Sequence, residues 1–285
     1  MFSAPLRRQS LMTFWMLLIA LGLFAPAQAA SSEYEPRPYQ EGKDVVWVPT
    51  AQALANKMLN LANVTPQDYV IDLGSGDGRI VITAAKRGAR ALGVEYEPEL
   101  VALSKKNALR EGVADKARFI QGDLFETDFS QATVITMFLL PEINLKLRPA
   151  ILNLKPGTRV VSNSFTMGDW KADHTIVVDP AEGCDNNFCE AYLWIVPAKV
   201  EGIWKLSQGE LRLKQSFQMI SGTLKSGAKT KPITHSQLHG DQISFLVEDE
   251  QYTGRVSGDA IEGIVRTGGK TTNWTATRTG KAKAK

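Results

Sequence analysis

The most constraining feature of the sequence is a glycine-rich turn, DLGSGDGR at residues 72–79, between the apolar run YVIDL and the helical pattern GRIVITAAKRG. A turn that leads from a strand into a helix in this way is typical of nucleotide-binding α/β folds. Dinucleotide-binding turns read G-x-G-x-x-G, but here Arg79 stands at the third glycine position and the additional glycine is Gly78. The Gly-Lys-Ser/Thr of a Walker loop does not follow either. The turn therefore indicates a nucleotide ligand of another class.

Short apolar runs alternate with helical patterns on both sides of this turn. Strands are predicted at residues 69–73, 91–96, 117–123, 133–140 and 158–165. Helices are predicted at residues 51–63, 78–88, 98–112 and 144–154, the first with Thr50 as its N-cap. This alternation predicts an α/β fold with a doubly wound, mostly parallel sheet and helices on both faces. The runs at 174–178 and 188–196 have no helix between them and predict a terminal antiparallel hairpin.

The pattern changes near residue 198. From residue 202 to about 280, short alternating runs are separated by Gly, Ser, Asp and Asn, which predicts an antiparallel β meander or small barrel. We therefore predict a nucleotide-binding domain at 50–197, a β-domain at 198–280 and a basic tail at 281–285. Trp204, Trp274 and Arg278 are placed as in lipocalin-like barrels, where a Trp near the start packs under a late Arg. We favour the interpretation that the two Trp residues are core aromatics of a β-domain; a ligand-binding or substrate-presenting role for that domain is the alternative.

An aspartate at the end of the first predicted strand restricts the ligand further. The carboxylate of Asp72 would repel a phosphate, but it attracts a ligand that carries ammonium and sulfonium groups, such as S-adenosylmethionine (SAM). Glu95, about 20 residues beyond the turn, can accept hydrogen bonds from both ribose hydroxyls. Asp123 can accept one from the exocyclic amine of adenine. Because parallel strands end at the same edge of a sheet, these three acids predict a SAM site there.

This combination resembles the first motif of class I SAM-dependent methyltransferases. VPT at 48–50, the glycine-rich turn and FLLP at 138–141 resemble more narrowly the mitochondrial lysine methyltransferases of the ATP synthase c-subunit and the adenine nucleotide translocase. The resemblance covers about residues 45–165 and implies that 48–50 close over the cofactor. It implies cofactor contacts from Thr50, Asp72, Gly74, Ser75, Gly76, Asp77, Gly78, Glu95, Asp123 and Leu124. It implies a methyl-transfer channel lined by Phe138, Leu139, Leu140 and Pro141.

Methyl transfer to nitrogen needs an aligned, desolvated acceptor more than a general base, and we assign no catalytic base. The acceptor is expected to be a protein lysine or a small molecule. A different class of function, a non-catalytic SAM-, nucleoside- or protein-binding module, stays open. The near-neutral charge gives no electrostatic case for nucleic acid.

The first 30 residues have the pattern of a secretory signal peptide. Arg7 and Arg8 precede an apolar run from Leu11 to Ala25, and the small-x-small sequence Ala27-Gln28-Ala29 follows. The apolar run is shorter than the roughly 20 residues of a membrane span. We therefore expect an exported, periplasmic protein that is not inserted in a membrane after cleavage and that begins with an extended lead-in at 31–49. The alternatives are an uncleaved membrane anchor and, given Arg7-Arg8, twin-arginine rather than general secretion.

The two cysteines, Cys184 and Cys189, flank an Asp-Asn-Asn turn. In an exported chain such a close pair predicts a disulfide across the end of a hairpin, whereas in a reducing compartment the pair would be two free thiols. No metal site is predicted, since no further Cys and no nearby His completes a ligand set. His235 and His239 lie in a region predicted as strand and turn.

Overall fold

The computed structural model describes residues 1–2, 34–42 and 44–280. The predicted signal peptide, apart from its first two residues, and the basic tail lie outside the described residues. The described residues from Tyr34 onward belong to one compact unit. Its helices are α1 (Gln52–Leu61), α2 (Arg79–Lys86), α3 (Pro98–Arg110) and α4 (Pro141–Ile151).

The first sheet confirms the predicted α/β fold. Its strands are β1 (Tyr69–Leu73), β2 (Arg90–Glu95), β3 (Ala117–Gln121), β4 (Val134–Met137), β5 (Arg159–Asn163), β6 (His174–Val177) and β7 (Glu190–Ile195). They lie in the order β3-β2-β1-β4-β5-β7-β6, with the first five parallel and β6 and β7 forming the predicted antiparallel hairpin. The strand order reverses beside β1, and ligands of open α/β sheets bind at the carboxyl ends of the strands at such a point.

Both faces of β1 are apolar, as a strand covered by helices on two sides requires. Val70 packs into the core beneath α1, α2 and α3, whereas Ile71 and Leu73 pack into the opposite core with α4. Asp72 is two residues after Val70, so its side chain lies on the same face of β1. It is buried near the carboxyl end of the strand, with 3% of its surface exposed. The apolar pattern of this strand therefore fixes where the carboxylate lies.

Several local predictions were wrong, among them the first helix cap, the end of the fourth strand and the start of the fourth helix, which begins at Pro141 and not at residue 144. Thr50 is not the N-cap of α1: the cap is Ala51, without a side-chain hydrogen bond, because the buried Thr50 Oγ1 instead accepts a hydrogen bond from Asn163 Nδ2 at 3.2 Å. The fourth strand ends at Met137, not at residue 140, because the chain turns into α4 at Pro141. A proline is favourable at this first helical position, where its missing N–H would have no partner.

The second sheet contains the strands β8 (Gly202–Leu206), β9 (Gly209–Ser216), β10 (Met219–Ser226), β11 (Lys229–Pro232), β12 (Thr234–His239), β13 (Gln242–Val247), β14 (Glu250–Ser257), β15 (Ala260–Thr267) and β16 (Lys270–Gly280). All neighbouring strands are antiparallel, and β8 pairs with β16. The edge strands β11 and β12 follow one another, and β12 also contacts β10, where Ser236 Oγ donates to the Ile220 carbonyl at 2.5 Å. The sheet is thus a nearly closed barrel, as predicted.

Aromatic side chains fill the interior of this barrel. The rings of Phe245, Tyr252 and Trp274 pack together with centroid distances of 4.9–5.9 Å. The guanidinium carbon of Arg278 lies 4.3 Å from the centroid of the fully buried Trp204 ring, which confirms their predicted packing. The two Trp residues are thus core aromatics.

Cys184 and Cys189 form the predicted disulfide, in the loop between β6 and β7. None of the helices in the described part of the chain is long and apolar enough to span a membrane.

Candidate cofactor and acceptor site

The glycine-rich turn between β1 and α2 is fastened to the end of β2. The N–H groups of Gly74 and Ser75 both donate to the Val94 carbonyl, at 2.9 and 3.0 Å. The N–H of Gly76 donates to Glu95 Oε2 at 2.8 Å. Glu95 therefore holds the backbone of the turn in addition to lying at the sheet edge, a role that sequence reasoning missed.

Two of the glycines in the turn lie where no side chain could fit. Gly76 has φ of 54°, and a Cβ built on it would lie 2.6 Å from Trp47 Nε1. Gly78 has φ of 83°, and its Cβ would lie 2.7 Å from the Phe119 ring. Positive φ and close approach together favour glycine at both positions.

Asp72 is a buried carboxylate among other acids. Its Oδ1 accepts a hydrogen bond from Thr136 Oγ1 at 2.6 Å. Burial raises the pKa of Asp72 to about 7; the Thr136 hydrogen bond opposes this shift, and the charges of Glu95 and Asp77 add to it. A cationic ligand would relieve this repulsion, so the electrostatics favour the sulfonium and ammonium of SAM over a phosphate.

Glu95 is 9% exposed, and its Oε1 also accepts hydrogen bonds from the N–H groups of Tyr96 at 2.8 Å and Glu97 at 3.1 Å. Together with the bond from Gly76, three backbone N–H groups donate to this carboxylate, which can accept roughly four hydrogen bonds. The predicted ribose contact would thus rely on the remaining acceptor capacity.

Asp123 follows β3, which ends at Gln121 and not at residue 123 as predicted. Asp123 Oδ1 accepts a hydrogen bond from the N–H of Phe125 at 2.8 Å, which fixes the loop that also carries Leu124. Both residues line the same cavity as Asp72 and Glu95.

Arg79, which breaks the dinucleotide pattern, joins the turn to the lead-in. Its guanidinium pairs with the Asp77 carboxylate, and its Nη1 donates to the Thr50 carbonyl at 2.7 Å. Asp77 therefore has a structural partner, and it lines the cavity at the same time. An Asp and an Arg two residues apart were visible in the sequence, but the bond from Arg79 to Thr50 was not.

The lead-in lies over the turn. Tyr39 N–H donates to the Trp47 carbonyl at 2.8 Å, and Trp47 N–H donates to the Gln40 carbonyl at 2.9 Å, so backbone hydrogen bonds join these three residues of the lead-in. Described residues of the lead-in and residues of the turn line the same cavity. Sequence reasoning assigned a covering role to Val48–Thr50 and missed Trp47.

We call the cavity that is lined by the glycine-rich turn, the acidic sheet edge and the lead-in the cofactor cavity. It brings together the ten predicted cofactor residues except Gly78, whose role is to admit Phe119. Ser75 Oγ is buried in its wall and has no hydrogen-bond partner among the described residues, so a polar ligand could satisfy it. The acidic side chains, the unpaired Ser75 hydroxyl and the glycine-rich turn are together suited to binding SAM.

A second cavity of about 400 Å³ adjoins the first, and we call it the acceptor cavity. Val45, Phe138 and Leu139 are among the residues that line both cavities, and so are the acids Glu41 and Asp44. Of the predicted channel residues, Phe138, Leu139 and Leu140 line the acceptor cavity, whereas Pro141 begins α4. The rings of Phe165 and Phe188, which the sequence did not indicate, lie 6.1 and 5.2 Å from the Phe138 ring.

Residues 72–174 match the family model described as the ANTKMT methyltransferase domain. A protein-lysine N-methyltransferase from Saccharolobus islandicus is 42% identical over 155 residues, which are 53% of this chain and 94% of that enzyme. The ATP synthase c-subunit lysine N-methyltransferase of Rattus norvegicus is 41% identical over 107 residues, 37% of this chain and 50% of the relative. The chain thus spans nearly all of the archaeal enzyme and about half of the rat enzyme.

Among solved structures, an RNA methyltransferase from Salinibacter ruber in complex with S-adenosyl-L-homocysteine is 48% identical; the match covers 54% of this chain and 96% of that chain, with a TM-score of 0.49. The fold and the acidic sheet edge define a class I SAM-dependent methyltransferase. Within that class, the chain belongs to the protein-lysine N-methyltransferase family that has the ANTKMT methyltransferase domain.

Substituting Gly76→Ala tests the close approach of Trp47. We expect the Kd for SAM to rise by at least about tenfold, because the new Cβ displaces either Trp47 or the turn. Gly268→Ala is a matched control, since Gly268 also has φ of 54° but open space around it. Calorimetric titration measures both, and equal Kd values for the two variants would contradict the steric argument.

The pKa of Asp72 predicts how SAM binding depends on pH. Because the ionised carboxylate attracts the cation, and this carboxyl has a pKa of about 7, the Kd for SAM should be about tenfold higher at about pH 6 than at about pH 8. Asp72→Asn should bind SAM weakly at both pH values, while variant Asp249→Asn, at an exposed acid in the barrel, keeps the wild-type ratio. A wild-type Kd that is constant over this range would contradict the assignment.

The raised pKa of Asp72 also affects the stability of the protein. Ionisation of this carboxyl favours SAM binding, but it lowers the stability of the cofactor-free fold. A carboxyl whose pKa is raised on folding contributes stability below its ordinary pKa of 3.8, and this contribution is lost as the pH rises through about 7. Cofactor-free Asp72→Asn should therefore have a higher Tm than the wild type at about pH 8, measured by thermal unfolding.

Proposed function

We propose that the protein transfers the methyl group of SAM to the side-chain amine of a lysine in another protein. The observation that carries the proposal is the acceptor cavity, apolar and open beside the cofactor cavity, with Phe138 and Leu139 in the walls of both. The similarity to lysine methyltransferases supports a protein acceptor.

SAM supplies an electrophilic methyl group on a sulfonium. The chain's own residues act by binding and alignment: Asp72 attracts the cationic cofactor, and the turn fixed by Glu95 orients it. The apolar walls of the acceptor cavity favour the neutral amine, because a desolvated ammonium loses its proton more readily. The amine nitrogen then forms the new N–CH₃ bond as the S–CH₃ bond breaks.

The charges on the acceptor cavity suit a basic acceptor. Its charged lining residues, within the described ranges, are Glu41 and Asp44, both acidic and both on the lead-in. They attract a lysine ammonium to the cavity, while the valines and leucines that also line it disfavour its charge. A small-molecule amine would fit the same chemistry, so the test includes one.

We expect purified protein and methyl-labelled SAM to label lysine residues in poly-L-lysine or in a protein extract, seen as methyl-lysine after hydrolysis. Asp72→Asn should lose the label, and Asp249→Asn should keep it, since only the first alters the cofactor cavity. Free lysine and total RNA are the alternative acceptors in parallel reactions. Label in either of these alone, or in none of the four, would contradict a protein-lysine acceptor.

We also propose that the protein is exported to the periplasm. The charge, apolar run and small-x-small sequence of the first 30 residues support export, and so does the disulfide, which an oxidising compartment would maintain. An uncleaved N-terminal membrane anchor is the competing arrangement.

Mass spectrometry of the protein from its producing cells should find a mature N-terminus near Ser31 in the periplasmic fraction. A chain that still starts at Met1 and sediments with membranes would favour the anchor. Arg7→Lys with Arg8→Lys separates the routes: general secretion tolerates both lysines, whereas the twin-arginine route does not.

A further inference from the structure

Three phenylalanine rings from distant parts of the chain meet at the acceptor cavity. Phe138 follows β4, Phe165 follows β5, and Phe188 lies in the disulfide loop before β7. Their centroids are 5.2–6.3 Å apart, and all three rings stay partly exposed instead of entering a packed core. Together they form an aromatic wall on one side of the acceptor cavity.

Strained backbone directs Phe165 into this wall. Ser164 has φ of 59°, an unfavourable value for a residue with a side chain. Two hydrogen bonds stabilise this backbone conformation. Ser164 N–H donates to the Glu190 carbonyl at 2.8 Å, and Phe165 N–H donates to the Asn163 carbonyl at 2.7 Å. Such strain persists where the surroundings enforce it, and it is frequent at ligand sites.

The disulfide fixes Phe188. Cys184 is fully buried in the core, and the carbonyl of Cys189 accepts a hydrogen bond from Val178 N–H at 2.8 Å. The bond between the two cysteines closes the short loop 185–188 at both ends. Phe188 N–H then donates to Asn186 Oδ1 at 2.8 Å, so the ring projects from a loop with few other conformations.

An aromatic wall in a cavity that acids also line matches the chemistry of an alkylammonium group. Ring faces attract cations, and the attraction increases when the cation is partly desolvated. Glu41 and Asp44 contribute the only charges that the described part of the chain places on this cavity.

We propose that Phe188, held by the Cys184–Cys189 disulfide, is a specificity-determining residue that binds the acceptor's alkylammonium chain. The proposal rests on the proposed function for its acceptor, but the site can be tested without turnover. Opening the disulfide should weaken acceptor binding and leave SAM binding unchanged, because the loop lines the acceptor cavity and not the cofactor cavity.

The first measurement is binding of butyltrimethylammonium, a stand-in for a methylated lysine side chain, to protein saturated with S-adenosylhomocysteine. We expect Phe188→Ala to raise its Kd about tenfold and Asn187→Ala, on the same loop, to leave it unchanged. The SAM Kd of both variants should stay within about twofold of wild type, which also shows that they fold.

The second measurement is the KM for poly-L-lysine in methyl transfer. Phe188→Ala and Cys184→Ala with Cys189→Ala should raise KM with little change in kcat. Dithiothreitol should do the same to the wild type: it transfers two electrons and two protons to the disulfide, which becomes two thiols, and is itself oxidised to a cyclic disulfide. Reduction of the wild type gives an answer even if the cysteine variant does not fold.

The two measurements distinguish this proposal from the proposed function. If poly-L-lysine is methylated but neither Phe188→Ala nor reduction alters KM, the role of Phe188 is wrong and the function stands. If butyltrimethylammonium binding depends on Phe188 but no lysine is methylated, the site stands and the function is wrong. Absence of butyltrimethylammonium binding to the wild type would overturn the aromatic site.

Discussion

The burial of the Asp72 carboxylate at the end of β1 is the constraint on which the rest of the site depends. A buried carboxylate near two other acids is unfavourable in the folded chain, as its raised pKa indicates. The apolar faces of β1 place it there, because Val70, Ile71 and Leu73 must pack in the two cores. The Asp72 carboxylate lies where a cationic ligand can compensate for its charge. The cofactor-free fold therefore loses stability at the position that selects the cofactor.

Polar contacts around the two neighbouring acids join the glycine-rich turn to β2 and to the lead-in. Glu95 bonds the turn, Asp77 pairs with Arg79, and Arg79 bonds the Thr50 carbonyl at the end of the lead-in. A cofactor that changes the position of the turn would therefore also act on the lead-in, which carries the acids of the acceptor cavity.

The sequence predicted the parts of the site that follow from strand periodicity. Asp72, Glu95 and Asp123 could be placed at one edge because parallel strands end together. Thr50 was mistaken for a helix cap because its partner, Asn163, is distant in the sequence and only the tertiary fold brings them together. Trp47, Phe165 and Phe188 were missed for the same reason: loops carry them, and no repeating pattern marks a loop residue that faces a cavity.

The Cys184–Cys189 disulfide bears on both the compartment of the protein and the order of its acceptor cavity. Its formation requires an oxidising compartment, which the N-terminal sequence independently indicates. It closes the loop that carries Phe188, one of the three rings of the aromatic wall, so under the proposal for Phe188 the same compartment favours acceptor binding. A chain retained in a reducing cytoplasm could still bind SAM, because the cofactor cavity is built from the turn, the sheet edge and the lead-in. It would lack the bond that fixes Phe188, so under the two proposals acceptor binding depends on a disulfide that forms after export.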